Sequence, residues 1–357
     1  APRSEAVRTY QGVSMGTMTI RDIAKKCKVG VSTVSRAMNN HPDINPETKE
    51  MILKVIEESG YIPNKSARNL KITESDTVAI LVKGIGNPFF SGMIDVIQKK
   101  AQQHSYACIL QPVEPFENEL DKALEMVQEK KLKGIVFLGG NFRHHREKLQ
   151  KLHVPFVVST AGRAEDFGVP MAAAVSVDDF VESYKLVDYL CRQGHRRIAT
   201  LTSADTDLSV GKLRFEGYLK ALRDHGIQPD ENLIFKLRGD SDHFSITSGY
   251  ELTKRALAQH RDFTALFAVA DTLAVGACRA LYEAGIRVGR DCAVAGYDGL
   301  EIGQYYSPSI TTIRQPVEEI AKETADILFD MILDGKEPES RTFQGELVVR
   351  ESTEPAE

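Results

Sequence analysis

The sequence predicts a small all-α head followed by a two-lobed α/β body of doubly wound parallel sheets. Three observations predict it. Apolar residues recur at helical spacing in short runs between residues 19 and 60. From residue 77 onward, short solid apolar runs alternate with helical stretches. These runs form two successive series, and 357 residues at 42% hydrophobic content suit one small domain plus one large two-lobed domain.

In the head, residues 19–39 read TIRDIAKKCKVGVSTVSRAMN. Ile20, Ile23, Ala24 and Cys27 fall at i, i+3, i+4 and i+7, the apolar stripe of an amphipathic helix. Thr19 can cap it, with Asp22 completing a capping box. Gly30 breaks the pattern. A second helix is expected to turn Val31, Val34 and Met38 inward and to offer Ser32, Thr33, Ser35 and Arg36 to solvent. Two such helices form a helix-turn-helix whose second helix can enter a major groove. Arg can pair bidentately with guanine, and Ser or Thr can reach bases or phosphates. An ordinary αα-hairpin has the same spacing, so spacing alone leaves both readings open. A third helix has Asn45 as cap, Pro46 at its first position, an apolar face of Met51, Ile52, Val55 and Ile56, and Gly60 as its stop. The segment 61–70, YIPNKSARNL, can start a helix at Pro63 or Asn64 that is too short to be stable alone.

Charge separates head from body. Residues 18–71 carry ten Lys/Arg against six Asp/Glu, while residues 72–357 carry ten net negative charges within an overall −5. A basic head on an acidic body suits a polyanion partner for the head alone. The five scattered cysteines (Cys27, Cys108, Cys191, Cys278, Cys292) contain no C-x-x-C, which fits reduced buried thiols in a cytoplasmic protein. No apolar run approaches a membrane span, and the N-terminus has no signal-peptide core, so no membrane partner is expected. Residues 1–17 lack periodicity and read as a disordered extension or an expression remnant.

In the body, the first series is VAILV (78–82), YACIL (106–110), GIVFL (134–138) and PFVVS (155–159), with helices expected over 90–104 and 117–130. The second is IATLT (198–202), LIFKL (233–237), ALFAV (265–269) and CAVAG (292–296). Solidly apolar strands alternating with helices indicate parallel sheets covered on both faces. A ligand cleft is expected where the carboxyl ends of the strands face each other. Catalytic motifs do not appear. Gly84-x-Gly86 lacks the third glycine of a dinucleotide fingerprint, and there is no P-loop, H-E-x-x-H or G-x-S-x-G. No enzyme activity, metal or cofactor is therefore expected.

Binding residues are better signalled. Asn87-Pro88-Phe89-Phe90 follows the first strand, where the rings either stack on a sugar face or belong to the core, and Asn87 can fix orientation. Arg214, in GKLRFEGY, offers a donor fork for hydroxyls or a carboxylate, or is a surface charge. Asp298 (GYDG) and Asp271 (VAD) follow buried strands and suit vicinal hydroxyls. For Asp271, capping the following helix is the favoured role, and for Asp298 ligand contact is.

TVSRAMN, the Asn-Pro start of the third helix and YIPN-x-x-A-x-x-L are similar to the lactose-repressor/galactose-repressor family of bacterial transcription regulators. GNPFFSGMID, VSVDD, GHRRIATLT, ADTLAVGACRALYEAGIRVGRD, VAGYDG, TTIRQP and ELVVRES extend the resemblance over roughly 18–353. It implies a helix-turn-helix DNA-binding domain over 18–60, a hinge helix and linker over 61–76, and an effector-binding and dimerisation domain over 77–357. That last domain would have the fold of periplasmic sugar-binding proteins. Its N-lobe would span about 77–175 and 315–341, and its C-lobe about 176–314 and 342–357. The DNA-facing set would be Thr19, Val31, Ser32, Thr33, Ser35, Arg36, Asn39, Asn64, Ala67 and Leu70. Leu70 would wedge into the minor groove and kink the duplex. Effector contacts would fall on Asn87, Phe89, Phe90, Thr160, Arg214, Asp271, Asp298 and Gln315. Where the family often has Ala-Gly-Val-Ser before its second helix, this chain has Cys27-Lys28-Val29-Gly30, so Gly30 takes the cap. Thr160 stands where the family often has Asp, and Ala270 where it often has Asn or Ser.

The implied function is a sequence-specific transcription regulator, a repressor. It would act as a cytoplasmic, nucleoid-associated homodimer on a pseudo-palindromic operator under control of a sugar or related metabolite. A solute-binding receptor using the body alone is the alternative, but it has no use for residues 19–70.

Overall fold

The computed structural model describes residues 18–38, 43–59, 76–114, 117–142, 145–161, 169–205, 209–238, 244–259 and 262–354. The chain divides into two compact units, Ala1–Thr73 and Glu74–Glu357.

The first unit contains α1 (Ile20–Lys26), α2 (Val31–Met38) and α3 (Pro46–Ser59). The Asp22 carboxylate accepts from the Thr19 N–H at 2.9 Å and from its hydroxyl at 2.6 Å, fixing the start of α1. The Gly30 carbonyl accepts from the Thr33 and Val34 N–H groups, so α2 starts without a capping hydroxyl. Asn45 Oδ1 accepts from the Glu47 N–H (2.8 Å) and the Thr48 N–H (3.3 Å) ahead of Pro46. Ile23, Ala24, Cys27, Val34, Ala37 and Ile52 close one small core. Two apolar expectations are corrected. Val31 opens α2 beyond the end of the buried Val34–Ala37 stripe and is 42% exposed. Met51 is also exposed, because α3 buries Ile52 and packs Val55 and Ile56 instead. Asn39, Gly60 and the 61–75 segment, with Asn64, Ala67 and Leu70, lie outside the described residues.

The second unit holds two six-stranded sheets. The first has the order β11-β5-β4-β3-β1-β2. Its strands are β1 (Thr77–Lys83), β2 (Ala107–Val113), β3 (Gly134–Leu138), β4 (Phe156–Ser159), β5 (Ala172–Val177) and β11 (Arg341–Phe343), all parallel. Period-two alternation sorts β1 between two cores: Val78, Ile80 and Val82 enter one, Ala79 and Leu81 the other. The second sheet has the order β12-β10-β9-β8-β6-β7. It contains β6 (Ile198–Thr202), β7 (Ile234–Lys236), β8 (Ala265–Ala268), β9 (Ala293–Asp298), β10 (Thr311–Arg314) and β12 (Glu346–Val348).

The helices of this unit are α4 (Phe89–Gln103), α5 (Glu119–Lys130), α6 (Arg146–Leu149), α7 (Asp179–Arg192), α8 (Val210–Asp224), α9 (Ile246–Gln259), α10 (Asp271–Glu283), α11 (Glu301–Tyr305) and α12 (Val317–Asp334). The chain passes between the sheets three times: from β5 into α7, from β10 into α12, and from β11 into β12. Leu186, Val187 and Leu190 of α7 join the core of the second sheet. Ile320, Ala321 and Leu328 of α12 return to the core of the first.

One departure from an all-parallel expectation follows from these passages. β11 leaves the first sheet at its carboxyl end, and residues 344–345 carry the chain straight to the carboxyl end of β10. β12 therefore runs back antiparallel, pairing Glu346 with Arg314. No helix among the described residues is long and apolar enough to cross a membrane.

Candidate functional site

The carboxyl ends of β8, β9 and β10 and the first turns of α7 and α8 enclose a charged cluster. Arg214, one turn into α8, is 4% exposed. Its Nε donates to Asp179 Oδ1 at 2.7 Å and its Nη1 to the Val269 carbonyl at 2.7 Å. Nη1 also lies 3.2 Å from Asp298 Oδ1, and the guanidinium stacks 3.8 Å over the Tyr297 ring. Gln315 Nε2 donates to the same Asp298 oxygen at 2.9 Å. Arg214, Asp298 and Gln315 are thus brought together, and none is a surface group.

Backbone strain accompanies the chemistry. Asp298 has φ of 119°, outside the range side chains normally adopt, and the packed cluster holds it there. Gly299 follows at φ 80°, where a Cβ would come 2.6 Å from Arg314 Cα.

Asp271 is fully buried, and its role differs from the expected helix cap. Its Oδ2 accepts from the Leu300 N–H at 2.7 Å, binding the start of α10 to the loop after β9. Burial, reinforced by the nearby Asp298 charge, pushes its carboxyl up to about 7. Burial likewise lifts Asp298 to about 6, with Arg214 pulling the other way. Asp179 is raised by burial against the same guanidinium. Burial works against the charge of Arg214, but Asp179 and Asp298 outweigh it and keep the guanidinium protonated. Two buried carboxylates, Asp179 and Asp298, meet the Arg214 guanidinium, and Asp271 lies near Asp298.

Some buried polar atoms have no partner in the protein. Asp271 Oδ1, Asp298 Oδ2 and Thr160 Oγ1 are buried and make no hydrogen bond in the protein. Thr160 follows β4 in the first lobe at φ 59°, a strained conformation for a β-branched residue.

The remaining expected residues behave differently. Phe89 and Phe90 sit in the core of the first lobe, ring centroids 5.5 Å apart edge to face. Their burial favours the core role over stacking on a ligand. Asn87 Oδ1 accepts from the Phe89 N–H at 3.0 Å and starts α4. Asp179 and Tyr297 also join the cluster; both lie inside the strings VSVDD and VAGYDG, but residue order does not distinguish them from their neighbours there.

In the first unit, Val31, Ser32 and Arg36 are exposed on α2, Thr33 and Ser35 are half-buried, and Thr19 is exposed with its hydroxyl bound to Asp22. Burial holds the thiols of Cys108 and Cys191 up at about 11 and those of Cys278 and Cys292 at about 12, so these groups are unreactive. Among the described residues, no cluster of His, Cys, Asp and Glu is arranged to hold a metal ion.

The family described as bacterial regulatory proteins, lacI family, matches residues 19–64, and the periplasmic binding protein-like domain matches residues 187–353. The chain is 36% identical over 337 residues to the HTH-type transcriptional regulator MalR of Clostridium butyricum, covering 94% of this chain and 99% of that one. It is 30% identical over 338 residues to the HTH-type transcriptional repressor CytR of Escherichia coli (strain K12), covering 94% and 96%. The solved complex of the transcriptional regulator CelR with cellobiose matches at a TM-score of 0.67 and 29% identity, over 94% of this chain and 99% of that one. The lac repressor dimer bound to operator shares the fold at a TM-score of 0.74 and 24% identity, over 95% and 100%. Helix-turn-helix, two-lobed body and near full-length similarity to named regulators agree: this chain belongs to the lacI family of bacterial regulatory proteins.

Proposed function

We propose that the protein is a sequence-specific repressor that binds a pseudo-palindromic operator as a homodimer and is controlled by a small hydroxyl-bearing metabolite. The observation that carries the effector half is Asp298, whose buried Oδ2 has no protein partner while its Oδ1 meets the Arg214 guanidinium; Asp271 Oδ1 and Thr160 Oγ1 are also buried and unpartnered. Leaving such groups unpaired costs about 1–3 kcal/mol each, which a bound polyol recovers by donating to the carboxylates. The DNA half rests on the exposed Val31, Ser32 and Arg36 of α2 within the 19–64 match.

The effector-binding set is Thr160, Arg214, Asp271, Asp298 and Gln315. Asn87, Phe89 and Phe90 support it from the first-lobe side. On the DNA side, Thr19, Thr33, Ser35 and Asn39 join the α2 contacts, and Asn64, Ala67 and Leu70 act at the hinge. The site of action is the nucleoid, and no catalysis is involved. A receptor that only captures solute is disfavoured because it leaves residues 19–64 without a role.

Fluorescence anisotropy of a labelled pseudo-palindromic duplex tests the proposal, with cellobiose, maltose and ribose as effector probes. Preference for the palindrome over random duplex, altered by one of the sugars, is expected. Equal binding to both duplexes, unmoved by any sugar, would refute it.

A further inference from the structure

We propose that Asp179 is a positioning residue that couples the effector-reading arginine to the passages of the chain between the lobes. The proposal rests on Arg214 and Asp298 being effector groups. Asp179 is the first residue of α7, immediately after the chain leaves β5 for the second lobe. Its neighbour Asp178 spends its carboxylate on the Val181 N–H at 3.2 Å, capping the helix. That leaves Asp179 to face inward, where it is 3% exposed and accepts from Arg214 Nε at 2.7 Å.

From there an unbroken buried line continues. Arg214 Nη1 reaches Asp298 Oδ1 at 3.2 Å, and Asp298 Oδ1 accepts from Gln315 Nε2 at 2.9 Å. Gln315 also donates its backbone N–H to the Asp298 carbonyl at 3.2 Å. Gln315 lies on the second passage, between β10 and α12. The line Asp179–Arg214–Asp298–Gln315 therefore joins two of the three inter-lobe passages, and its two middle members read the effector. The next turn of α7 meets the third passage. Lys185 Nζ donates to the buried Glu182 Oε2 at 2.5 Å and to the Gly345 carbonyl at 3.1 Å.

Buried charge-assisted bonds cannot be replaced by water without cost, so a shift of one member is felt by the next. An effector that takes a bond from Arg214 or Asp298 disturbs the groups that hold both passages. Its affinity then depends on the lobe arrangement, which is what linkage between effector and a distant DNA site requires. A purely local structural role for Asp179 would stabilise the start of α7 and nothing beyond it.

Hydrogen exchange on the full-length chain, without sugar or DNA, separates the two roles. Asp179→Ala removes the acceptor, and Asp179→Asn keeps an oxygen for Arg214 Nε but drops the charge. Asp188→Asn is the control on the same helix, since Asp188 pairs with His225 at 2.7 Å, away from the cluster. Asp179→Ala is expected to raise exchange about tenfold over both 177–182 and 313–318, leaving the strands of the second sheet unchanged. Asp179→Asn is expected to raise both segments by less, and Asp188→Asn neither. A rise confined to 177–182 overturns the proposal, as does an even rise across the second sheet. If Asp179→Ala does not fold, the Asn variant decides: no rise at 313–318 relative to Asp188→Asn overturns the coupling. Because no ligand is used, this failure is distinct from a failure to bind operator or sugar.

Discussion

Arg214 and Asp298 stand 3.2 Å apart with both side chains almost completely buried. A guanidinium so enclosed is held by its buried partners, and its charge works against the burial that raises the two carboxyls around it. Arg214→Ala is expected to abolish any effect of sugar on operator affinity while leaving operator binding itself within about threefold. Removing one member of a buried pair costs about 3–5 kcal/mol, an upper figure here because Asp298 can take up a proton. The variant should therefore also melt several degrees lower. Anisotropy titrations and thermal melts check both, and a retained sugar response would show that the arginine is only structural.

The DNA-reading half should fail independently. Arg36→Ala and Ser32→Ala remove exposed polar groups from α2 without touching the Ile23–Val34–Ile52 core. Each is expected to weaken operator binding by about 1–3 kcal/mol where it reads a base edge, with melting unchanged. Leu70→Ala should weaken operator binding and leave sugar binding alone. For the unaltered protein, log affinity should fall steeply with log salt, and a flat dependence would remove the phosphate contacts from the account.

Much of this architecture was legible in residue order, for physical reasons. Period-two and period-3.6 burial are local properties, so the VAILV and GIVFL strands and the Ile23–Ala24–Cys27 stripe emerged from spacing alone. Spacing gives the direction of an apolar stripe but not where packing stops, which is why Val31 and Met51 proved exposed. The reversed β12 was hidden because its direction depends on which end of the second sheet the chain reaches from β11. Site partners were harder still. Whether Asp271 bonds its own helix or Leu300, 29 residues on, is a tertiary choice with no sequence signal. The same holds for Asp179 and Arg214, 35 residues apart.

With the cluster as the proposed effector site, its charge sets which effectors it admits. Asp179 and Asp298 meet a guanidinium whose Nε and Nη1 are already committed to them and to the Val269 carbonyl. A phosphate or carboxylate on the ligand would meet the charge of Asp179 and Asp298 with the guanidinium already engaged, whereas neutral hydroxyls can donate to the unpartnered Oδ2 of Asp298. In thermal-shift titrations with matched pairs, ribose against ribose 5-phosphate and glucose against glucose 6-phosphate, any stabilisation should come from the neutral member. A larger shift from the phosphorylated member of either pair would contradict this charge balance.

Asp271 should make stability depend on pH in an unusual direction. Its carboxyl has an ordinary value of 3.8 and is lifted to about 7 by burial and by Asp298. In the unfolded chain it loses its proton near its ordinary value, whereas in the folded protein it holds on until pH rises through about 7. Its favourable contribution is therefore complete at low pH and is lost between about 4 and 7, with each tenfold fall in proton concentration across that window removing about 1.4 kcal/mol. Asp271→Asn keeps an oxygen for the Leu300 N–H but has no proton to lose. The variant's melting temperature relative to the unaltered protein should accordingly rise between about pH 5 and pH 8, by at least about 2 °C. Asp205→Asn, at an exposed residue paired with Lys236, serves as the control and should show no trend. A difference that stays flat or falls with pH would mean that Asp271 is ionised in the folded protein throughout this range.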